Sequence, residues 1–411
     1  MLNLNKKYID LVNKEEKKLN NTFSKIDELS FKNSKKVLDA FHKYNVTESD
    51  LGGTTGYGYN DFGRDKIESI FADVLGAEGA LVRTQIISGT HAITVALQGI
   101  LRPGDTLLSI TGIPYDTLHE VIGIKENNSS LISYGINYKY ISLLDNDFDY
   151  VLLKKELKNN IKVIHIQRSR GYSLRESLSI EKIEKVIKFI KNINKNIIIF
   201  IDNCYCEFVE EKTPIEVGAD LIAGSLIKNL GGGIAHNGGY IAGRKELIEL
   251  CAERLNVPGQ GKEVGPSGDA NKLFLQGLYF APSVVASAIK TSILTSKVLE
   301  ALGYEVSPKY NEKRSDIVEL IYFNNEKEMI KYAEGVQSSG AINANITPIP
   351  SDMPGYDDKI IMASASFVQG SSIEISADGP LKEPYVIFQQ GSLTYDYGKL
   401  ALINAISKLN E

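Results

Sequence analysis

Short apolar segments alternate with helical patterns from about residue 65 to residue 243. Helices are predicted over 65–75 and 88–100, where apolar residues recur at helical spacing. Buried strands are predicted over 79–85, 106–110, 161–167, 196–201, 221–225 and 239–242. Strands that alternate with helices form a mostly parallel sheet with helices on both faces. The chain is therefore predicted to be an α/β protein whose active site lies beyond the carboxyl ends of the strands.

The chain has 411 residues, which is long for a single core. Residues 1–50 are predicted to form an N-terminal helical arm that packs on a partner subunit. Residues 51–290 contain the alternating pattern and form a large domain. Residues 291–411 combine short strands with helices near 326–337 and 397–409, which indicates a smaller α+β C-terminal domain.

Composition and charge limit the classes of partner. The net charge of −5 gives no electrostatic reason to expect nucleic acid. The three cysteines, Cys204, Cys206 and Cys251, fit neither a disulfide framework nor a zinc site, so reduced thiols and no metal are expected. The first 21 residues are polar, and no apolar run approaches membrane-spanning length. We therefore expect a cytoplasmic protein with neither a membrane nor a nucleic-acid partner.

The first candidate loop is Ser88-Gly89-Thr90-His91, which opens the helix predicted over 88–100. A helix start offers free backbone N–H groups and a positive dipole end. Gly89 permits close approach, while Ser88 and Thr90 add hydroxyl groups, so the loop is predicted to hold a phosphate. Alternatively, Ser88 is only the N-cap of the helix.

The second candidate is Asp202, which directly follows the apolar run 197–201. A carboxylate at the edge of a buried sheet is partly desolvated and needs a cation or strong donors. A protonated pyridine nitrogen would meet that need. The alternative is an ordinary aspartate in the turn that ends a strand.

The third candidate loop follows the strand 221–225 and contains Ser225, Lys228 and three glycines at 231–233. Apolar neighbours are expected to lower the pKa of the Lys228 amine and make it nucleophilic toward aldehydes. The glycines are expected to prevent crowding near a cofactor. The lysine precedes the glycines, so the loop does not match the usual phosphate-binding motif of nucleotide hydrolases.

Together the three loops supply a phosphate anchor, an acid for a pyridinium and an amine for an aldehyde. Pyridoxal 5′-phosphate (PLP) requires these three attachments. The sequence therefore predicts a PLP enzyme that carries its cofactor as an imine on Lys228.

With these residues in view, the chain resembles the Cys/Met-metabolism group of PLP enzymes, which includes cystathionine γ-synthase, the cystathionine lyases and methionine γ-lyase. It is most similar to the branch associated with aluminium resistance and cystathionine β-lyase. Three segments carry the resemblance: Gly-Tyr-Gly-Tyr-Asn-Asp-Phe-Gly-Arg at 56–64, Ile-Gln-Arg-Ser-Arg-Gly-Tyr at 166–172 and Ser-Leu-Ile-Lys-Asn-Leu-Gly-Gly-Gly at 225–233. The resemblance implies the fold-type I fold of PLP-dependent transferases.

The resemblance also implies roles for individual residues. Lys228 matches the Schiff-base lysine and Asp202 matches the partner of the pyridinium nitrogen. Gly89 and Thr90 match backbone groups that bind the phosphate, and Ser225 matches a phosphate-binding serine.

Aromatic residues complete the implied site. Tyr115 matches the tyrosine that stacks on the pyridine ring, and Tyr57 matches one that reaches the phosphate in the neighbouring subunit. The family usually has an arginine two residues after that tyrosine; here Tyr59 occupies the position and Arg64 follows. Lys228, Tyr57 and Tyr115 are thus the candidate catalytic residues. The shared site implies a homodimer or homotetramer.

The family's C-terminal arginine, which binds the substrate carboxylate, has no match in residues 385–394. Arg168, Arg170 or Arg83 is expected to take over that contact, because a guanidinium binds a carboxylate through two parallel hydrogen bonds.

The activity implied is that of a carbon–sulfur lyase on a sulfur-containing amino acid, of the cystathionine β-lyase or methionine γ-lyase type. Lys228 would take the α-proton, and His236 or Tyr57 would protonate the leaving group. Three alternatives stay open. They are another PLP reaction (transamination, racemisation or decarboxylation), a non-catalytic PLP-binding protein of aluminium resistance, and a nucleotide-binding transferase that uses residues 231–233.

Overall fold

The computed structural model describes residues 4–353 and 358–409. The α-helices of these ranges are α1 (Lys6–Glu16), α2 (Asn20–Lys43), α3 (Phe62–Leu75), α4 (Gly89–Ile100), α5 (His119–Ile122), α6 (Tyr150–Glu156), α7 (Ile180–Ile193), α8 (Lys245–Leu255), α9 (Ala270–Ala301), α10 (Glu326–Ser338) and α11 (Tyr395–Leu409). The strands are β1 (Gly79–Arg83), β2 (Thr106–Ser109), β3 (Asn137–Tyr140), β4 (Val163–Gln167), β5 (Ile198–Asp202), β6 (Leu221–Ser225), β7 (Gly239–Gly243), β8 (Glu305–Ser307), β9 (Glu319–Tyr322), β10 (Ile360–Ser364), β11 (Ser376–Pro380) and β12 (Val386–Gln390).

Seven strands form the large sheet in the order β1-β7-β6-β5-β4-β2-β3. All run parallel except β7, which pairs antiparallel with both of its neighbours, β1 and β6. Strands β4 to β7 are buried at every position, as expected for strands covered by helices on both faces. The predicted α/β fold with a mostly parallel sheet is confirmed, and the strands predicted from apolar runs lie within a few residues of their expected bounds.

The edge strand β3 is absent from the sequence-based prediction. Its four residues, Asn137 to Tyr140, are polar or aromatic, and none is fully buried. It pairs with β2 alone. An apolar run marks only strands that are buried on both faces, so this edge strand lacks the signal that identified the others.

Helix α7 illustrates why the connecting segments cover the sheet. Ser179 caps its first turn by accepting the N–H of Lys182 at 3.3 Å. Its apolar residues recur at helical spacing, and the face that they form is buried against the sheet, namely Ile180, Ile183, Val186, Ile187 and Ile190.

The second sheet has five antiparallel strands in the order β10-β11-β12-β9-β8. Helices α10 and α11 pack on one face and share its apolar core. Tyr8, Val12 and Leu19 from the N-terminal segment are buried in the same core, so this segment packs on its own chain. The other face carries a small cluster that packs against Tyr172 and Tyr205 of the large domain.

Helix α9 is 32 residues long and runs across the boundary predicted near residue 290. By length and apolar composition it is long enough to cross a membrane, a feature that the sequence-based prediction did not include. However, 67% of its most apolar stretch is buried inside the protein, as in the core helix of a globular protein.

The glycines at 231–233 serve a different purpose from the one predicted. A Cβ atom on Gly231 would lie 1.6 Å from the carbonyl oxygen of Leu226. A Cβ atom on Gly277 of α9 would lie 2.4 Å from the carbonyl oxygen of Gly231. The prediction that these glycines leave room for a cofactor is therefore corrected: they let the loop after Lys228 pack against the backbone of α9.

Candidate active site

A cavity of about 400 Å³ lies between the carboxyl ends of the parallel strands and the small-domain sheet. The large domain contributes Tyr115, Asp202, Lys228 and the segment around Arg170, and the small domain contributes residues such as Asp378. This is the location that the rule for open α/β sheets predicts.

Lys228 follows β6 and is half-buried at the cavity, with its Nζ 3.9 Å from the centre of the Tyr205 ring. Burial by itself disfavours the ammonium. The negative charges that Cys204, Tyr205 and Tyr115 carry when ionised, and that of Asp202, outweigh burial and raise the pKa of Lys228 well above its ordinary value. The prediction of a lowered pKa is therefore wrong for the protein without a cofactor, because these neighbours come together only in the folded chain.

Asp202 ends β5 and is only 3% exposed. One of its carboxylate oxygens accepts the N–H of Cys204 at 3.1 Å. In the sheet, Asp202 lies beside Gln167 of β4, and the side chain of Gln167 accepts the N–H of Tyr115 at 3.0 Å. The predicted acid and the predicted aromatic residue are thus held at one cavity by neighbouring strands.

The start of α4 meets the ends of β5 and β6. Ser88 caps the helix by accepting the N–H of His91 at 3.1 Å. A Cβ atom on Gly89 would lie 3.1 Å from the sulfur of Cys204 and 3.3 Å from the Cβ of Ser225. The absence of a side chain at Gly89 therefore lets the three predicted loops converge, with the free N–H groups of the helix start beside Ser225.

Tyr115 is tied to the same helix start. Its hydroxyl hydrogen-bonds to Thr90, whose Oγ1 also lies 2.9 Å from the Oγ1 of Thr117. Burial and the charge of Asp202 raise the pKa of Tyr115 to about 12, so the phenol stays protonated at neutral pH.

Tyr57, Tyr59 and Arg64 lie outside this cavity in their own chain. The two tyrosines are 70% and 54% exposed, and their rings stack at 5.6 Å. Arg64 is buried, and its Nη1 donates to the carbonyl oxygens of Gly58 and Gly265 at 2.7 and 2.9 Å. In its own chain Arg64 therefore fixes the loop that presents the tyrosines.

Two of the three candidate arginines point away from the cavity. Arg83 is buried with its Nε 2.5 Å from Glu68, and its Nη1 donates to the carbonyl oxygen of Val264 at 2.6 Å. Arg168 pairs with Glu210 and donates to Asn203 at 2.9 Å. Neither lines the cavity, so the structure does not bring either guanidinium to the place where a substrate would bind.

Arg170 does line the cavity and is 1% exposed. Its Nη1 donates to the carbonyl oxygen and the hydroxyl of Ser307, both at 3.2 Å. Its Nε is buried without a hydrogen-bond partner among the described residues. A buried donor of a charged group needs an acceptor, and none of the described residues supplies one to this Nε.

The sequence-based reasoning missed other residues of the cavity. Arg175 lines it, and its Nη2 donates to the carbonyl oxygens of Gln167 and Ser169 at 2.7 and 2.5 Å, which holds the loop after β4. Asp378 lines it from β11. An aspartate inside a predicted strand was the available signal, but its position at the cavity depends on how the domains pack. His236, a predicted proton donor, is exposed and lies outside the lining residues.

A buried strand-end carboxylate and a lysine at one interdomain cavity, with a helix start packed directly behind them, are the arrangement of PLP-dependent enzymes of fold type I. Residues 8–410 match the family model described as methionine gamma-lyase, so the chain belongs to the methionine gamma-lyase family. The predicted resemblance is thereby confirmed.

Similar proteins cover almost the whole chain. This chain is 48% identical to the uncharacterized protein YnbB of Bacillus subtilis (strain 168) over 387 residues. The match covers 93% of this chain and 92% of that protein. A crystal structure from Listeria monocytogenes, named "putative cystathionine beta-lyase involved in aluminum resistance", is 48% identical with a TM-score of 0.96 and covers 97% of this chain and 99% of that chain. A crystal structure from Clostridium acetobutylicum with the same name is 45% identical with a TM-score of 0.96 and covers 99% of this chain and 97% of that chain.

The cofactor of this family, and of this protein, is PLP. The residues of the cavity fit it. The helix start at Gly89 packs beside Ser225, and its free N–H groups are donors of the kind that bind a phosphate. The buried carboxylate of Asp202 suits a protonated ring nitrogen, and Lys228 opens onto the same cavity.

Proposed function

We propose that the protein is a PLP-dependent carbon–sulfur lyase that acts on a sulfur-containing amino acid. The observation that carries the proposal is that Lys228, Asp202 and Arg170 line one cavity, with the Gly89 helix start packed behind Cys204 of the same lining. Membership in the methionine gamma-lyase family and the names of the solved relatives support this class of reaction.

The cofactor contacts are assigned by the chemistry of each group. The N–H groups of Gly89 and Thr90 and the hydroxyls of Ser88 and Ser225 would hold the phosphate. Asp202 would hold the ring nitrogen and Tyr115 the ring face. Lys228 would form the Schiff base with the aldehyde. When bound, PLP supplies an electron sink for the bonds at the α-carbon of an amino acid.

Lys228 is the proposed general base. Its Nζ must lose its proton before it can accept the α-proton of a substrate. A cation held by Asp202 would cancel one of the negative charges that raise the pKa of Lys228. The amine should therefore be a better base in the loaded site than in the protein without a cofactor.

The proposed elimination conserves atoms and charge. The Cα–H and C–S bonds of the substrate break, and the thiolate leaves with one proton as a thiol. Water then replaces the α-nitrogen, which gives a 2-oxo acid and ammonium. No oxidant or reductant is needed.

The test is an assay of the holoenzyme for thiol, 2-oxo acid and ammonia, with methionine and S-alkylcysteines as substrates and Lys228→Ala as the inactive control. Equal amounts of the three products are expected from wild type. A product that retains nitrogen or sulfur would instead indicate transamination, racemisation or decarboxylation. No turnover of any amino acid would favour a non-catalytic PLP-binding protein.

Arg170 is the proposed contact of the substrate carboxylate. Its unpartnered Nε and the adjacent Nη2 form the edge of a guanidinium that binds a carboxylate through two hydrogen bonds. Arg170→Lys retains the charge but loses the paired geometry, so KM should rise at least tenfold. Arg168→Lys is the matched control, because Arg168 lies outside the lining residues. If KM rises in Arg168→Lys and stays unchanged in Arg170→Lys, Arg170 is not the contact of the substrate carboxylate.

A homodimer or larger homo-oligomer with shared sites is proposed as the working form. The exposed Tyr57 and Tyr59, fixed by Arg64, are the residues that would reach a second copy. Mixing inactive Lys228→Ala with inactive Tyr57→Phe should restore about a quarter of the activity, because a mixed symmetric dimer contains one intact site. No recovery after subunits have exchanged would argue against shared sites.

A cytoplasmic location is also proposed. The three cysteines are free and buried, which agrees with a reducing compartment. Cell fractionation of the native host would test it.

A further inference from the structure

We propose that Tyr205 is a positioning residue for Lys228. The face of its ring holds the Lys228 ammonium when the lysine carries no cofactor, and again after the amine has taken the α-proton of a substrate. The inference rests on the proposed function, which it deepens by naming the residue that assists the proposed general base.

The Tyr205 ring lies beside Lys228 at the cavity. The Nζ of Lys228 is 3.9 Å from the centre of the ring and lies over it, and both residues line the cavity. The face of an aromatic ring is negative, so it attracts a cation within about 6 Å of its centre. The contact is therefore short enough to hold the ammonium of Lys228.

The backbone of Tyr205 takes a conformation that few bulky residues adopt. Its φ is +70°, in the left-handed region, where an aromatic residue is an outlier. It belongs to the turn after β5, which the N–H of Cys206 closes by donating to the carbonyl oxygen of Asn203 at 3.1 Å. Strained residues of this kind persist where the surroundings hold them, and they cluster at functional sites.

The small domain holds Tyr205 in this conformation. The N–H of Ile317 donates to the carbonyl oxygen of Tyr205 at 3.2 Å. The Tyr205 ring also packs against the apolar cluster on the small-domain sheet, which consists of Val318, Leu320, Val386 and Phe388. The ring is thus fixed by the small domain while Lys228 of the large domain lies over its face.

This contact favours the charged form of Lys228. When Lys228 takes the α-proton, the proton moves from the α-carbon to Nζ, and the electron pair of the broken bond stays with the bound substrate. The nitrogen becomes an ammonium, which the Tyr205 ring stabilises. The ring face supplies this effect and the phenol oxygen is not needed, so phenylalanine should replace tyrosine and an aliphatic residue should not.

Other titratable groups face Lys228 and stay in place when Tyr205 is changed. Tyr115, Asp202, Cys204 and Glu207 interact with it electrostatically. The other charged or tyrosine side chains that line the cavity among the described residues are Asp116, Arg170, Tyr172, Arg175, Asp358, Asp378 and Lys382. A difference between Tyr205→Leu and Tyr205→Phe therefore reports the aromatic ring.

The first measurement is the capture of PLP as a function of pH. The holoenzyme is freed of PLP with hydroxylamine, PLP is added back, and the rate is followed by the visible absorption of the imine. Without the ring face, the ammonium of Lys228 loses its proton at lower pH. The pH profile of Tyr205→Leu should therefore move to lower pH, with capture at neutral pH at least about threefold faster. Tyr205→Phe should stay within about twofold of wild type.

The second measurement is exchange of the α-proton of alanine in D2O, followed by NMR with the holoenzyme. Alanine has no group to eliminate, so exchange reports the proton transfer to Lys228 alone. On the alkaline plateau the amine is neutral in every variant. There Tyr205→Leu should exchange at least about threefold more slowly than wild type, because the ring no longer stabilises the ammonium that forms.

Tyr322→Leu is the matched control. Tyr322 packs against the same apolar cluster but lies outside the cavity lining, so this variant should keep the wild-type pH profile. If Tyr205→Leu does not fold, a ring-fluorinated phenylalanine at position 205 replaces it, because fluorine weakens the negative face without removal of the ring.

An unchanged pH profile in Tyr205→Leu, or the same change in Tyr322→Leu, would overturn the inference and leave Tyr205 as a packing residue between the domains. If wild type exchanges the α-proton and exchange depends on the ring, but no thiol is released from any sulfur-containing amino acid, the proposed lyase function fails and the inference stands. No exchange in wild type would overturn both.

Discussion

The buried carboxyl of Asp378 should make stability depend on pH in a predictable direction. Burial raises the pKa of Asp378 from 3.8 to about 6, against hydrogen bonds from Tyr172 and Ser376 that lower it. The difference between these two pKa values corresponds to roughly 3 kcal/mol once the carboxyl is ionised. Because the folded pKa lies above the unfolded one, the stabilising contribution is complete below pH 3.8 and is lost as the pH rises through about 6.

The perturbation is Asp378→Asn, which keeps the shape but does not titrate. From about pH 4.5 to pH 8, wild type should lose roughly 2 kcal/mol relative to the variant, because the other titrating groups are common to both. Urea unfolding at the two pH values measures this difference of differences. A difference below about 0.5 kcal/mol would contradict a raised pKa for the buried Asp378 carboxyl.

Other residues give simpler predictions. Arg83→Met should lower the free energy of unfolding by about 3 kcal/mol in chemical denaturation, because the buried Glu68 would keep only the partly exposed Lys262, 3.3 Å away, as its cation; a loss below about 1 kcal/mol would contradict this reasoning. Gly277→Ala brings a Cβ atom to 2.4 Å from the Gly231 oxygen, so PLP titration should show weaker binding as the loop after Lys228 shifts; unchanged affinity would show that the loop tolerates the change. His236→Ala should keep kcat/KM within about twofold, since His236 is exposed outside the cavity; a large loss would restore it as a proton donor.

The central sheet was predictable because its strands are buried on both faces. Such strands appear in the sequence as uninterrupted runs of Ile, Val and Leu, as in β5 and β4. The loops that follow them were predictable for the same reason, since the carboxyl ends of parallel strands meet at one edge. The exposed edge strand β3 has no such run and was missed.

The charged residues of the site were harder to predict. Arg83 and Arg168 are paired with Glu68 and Glu210, which are 15 and 42 residues away along the chain. Sequence spacing does not reveal pairings of this kind, so three arginines looked equivalent. Of these three arginines, Arg170 alone lines the cavity.

The contacts between the two domains could not be predicted from the sequence for the same reason. In the sequence, Asp378 is an ordinary aspartate in a short strand. Its contact with Tyr172 forms only because β11 packs beside the loop after β4. The glycines after Lys228 looked like room for a cofactor because their contact with α9 joins segments about 45 residues apart. The sequence therefore predicted the loops at the strand ends better than the contacts between the two domains.

The attachment of the cofactor to Lys228 is the claim on which the account depends most. The direct measurement is borohydride reduction of the holoenzyme, followed by proteolysis and mass spectrometry. One pyridoxyl-modified peptide per chain is expected, with the modification on Lys228, and none in Lys228→Ala. A modification on another lysine, or none at saturating PLP, would contradict it.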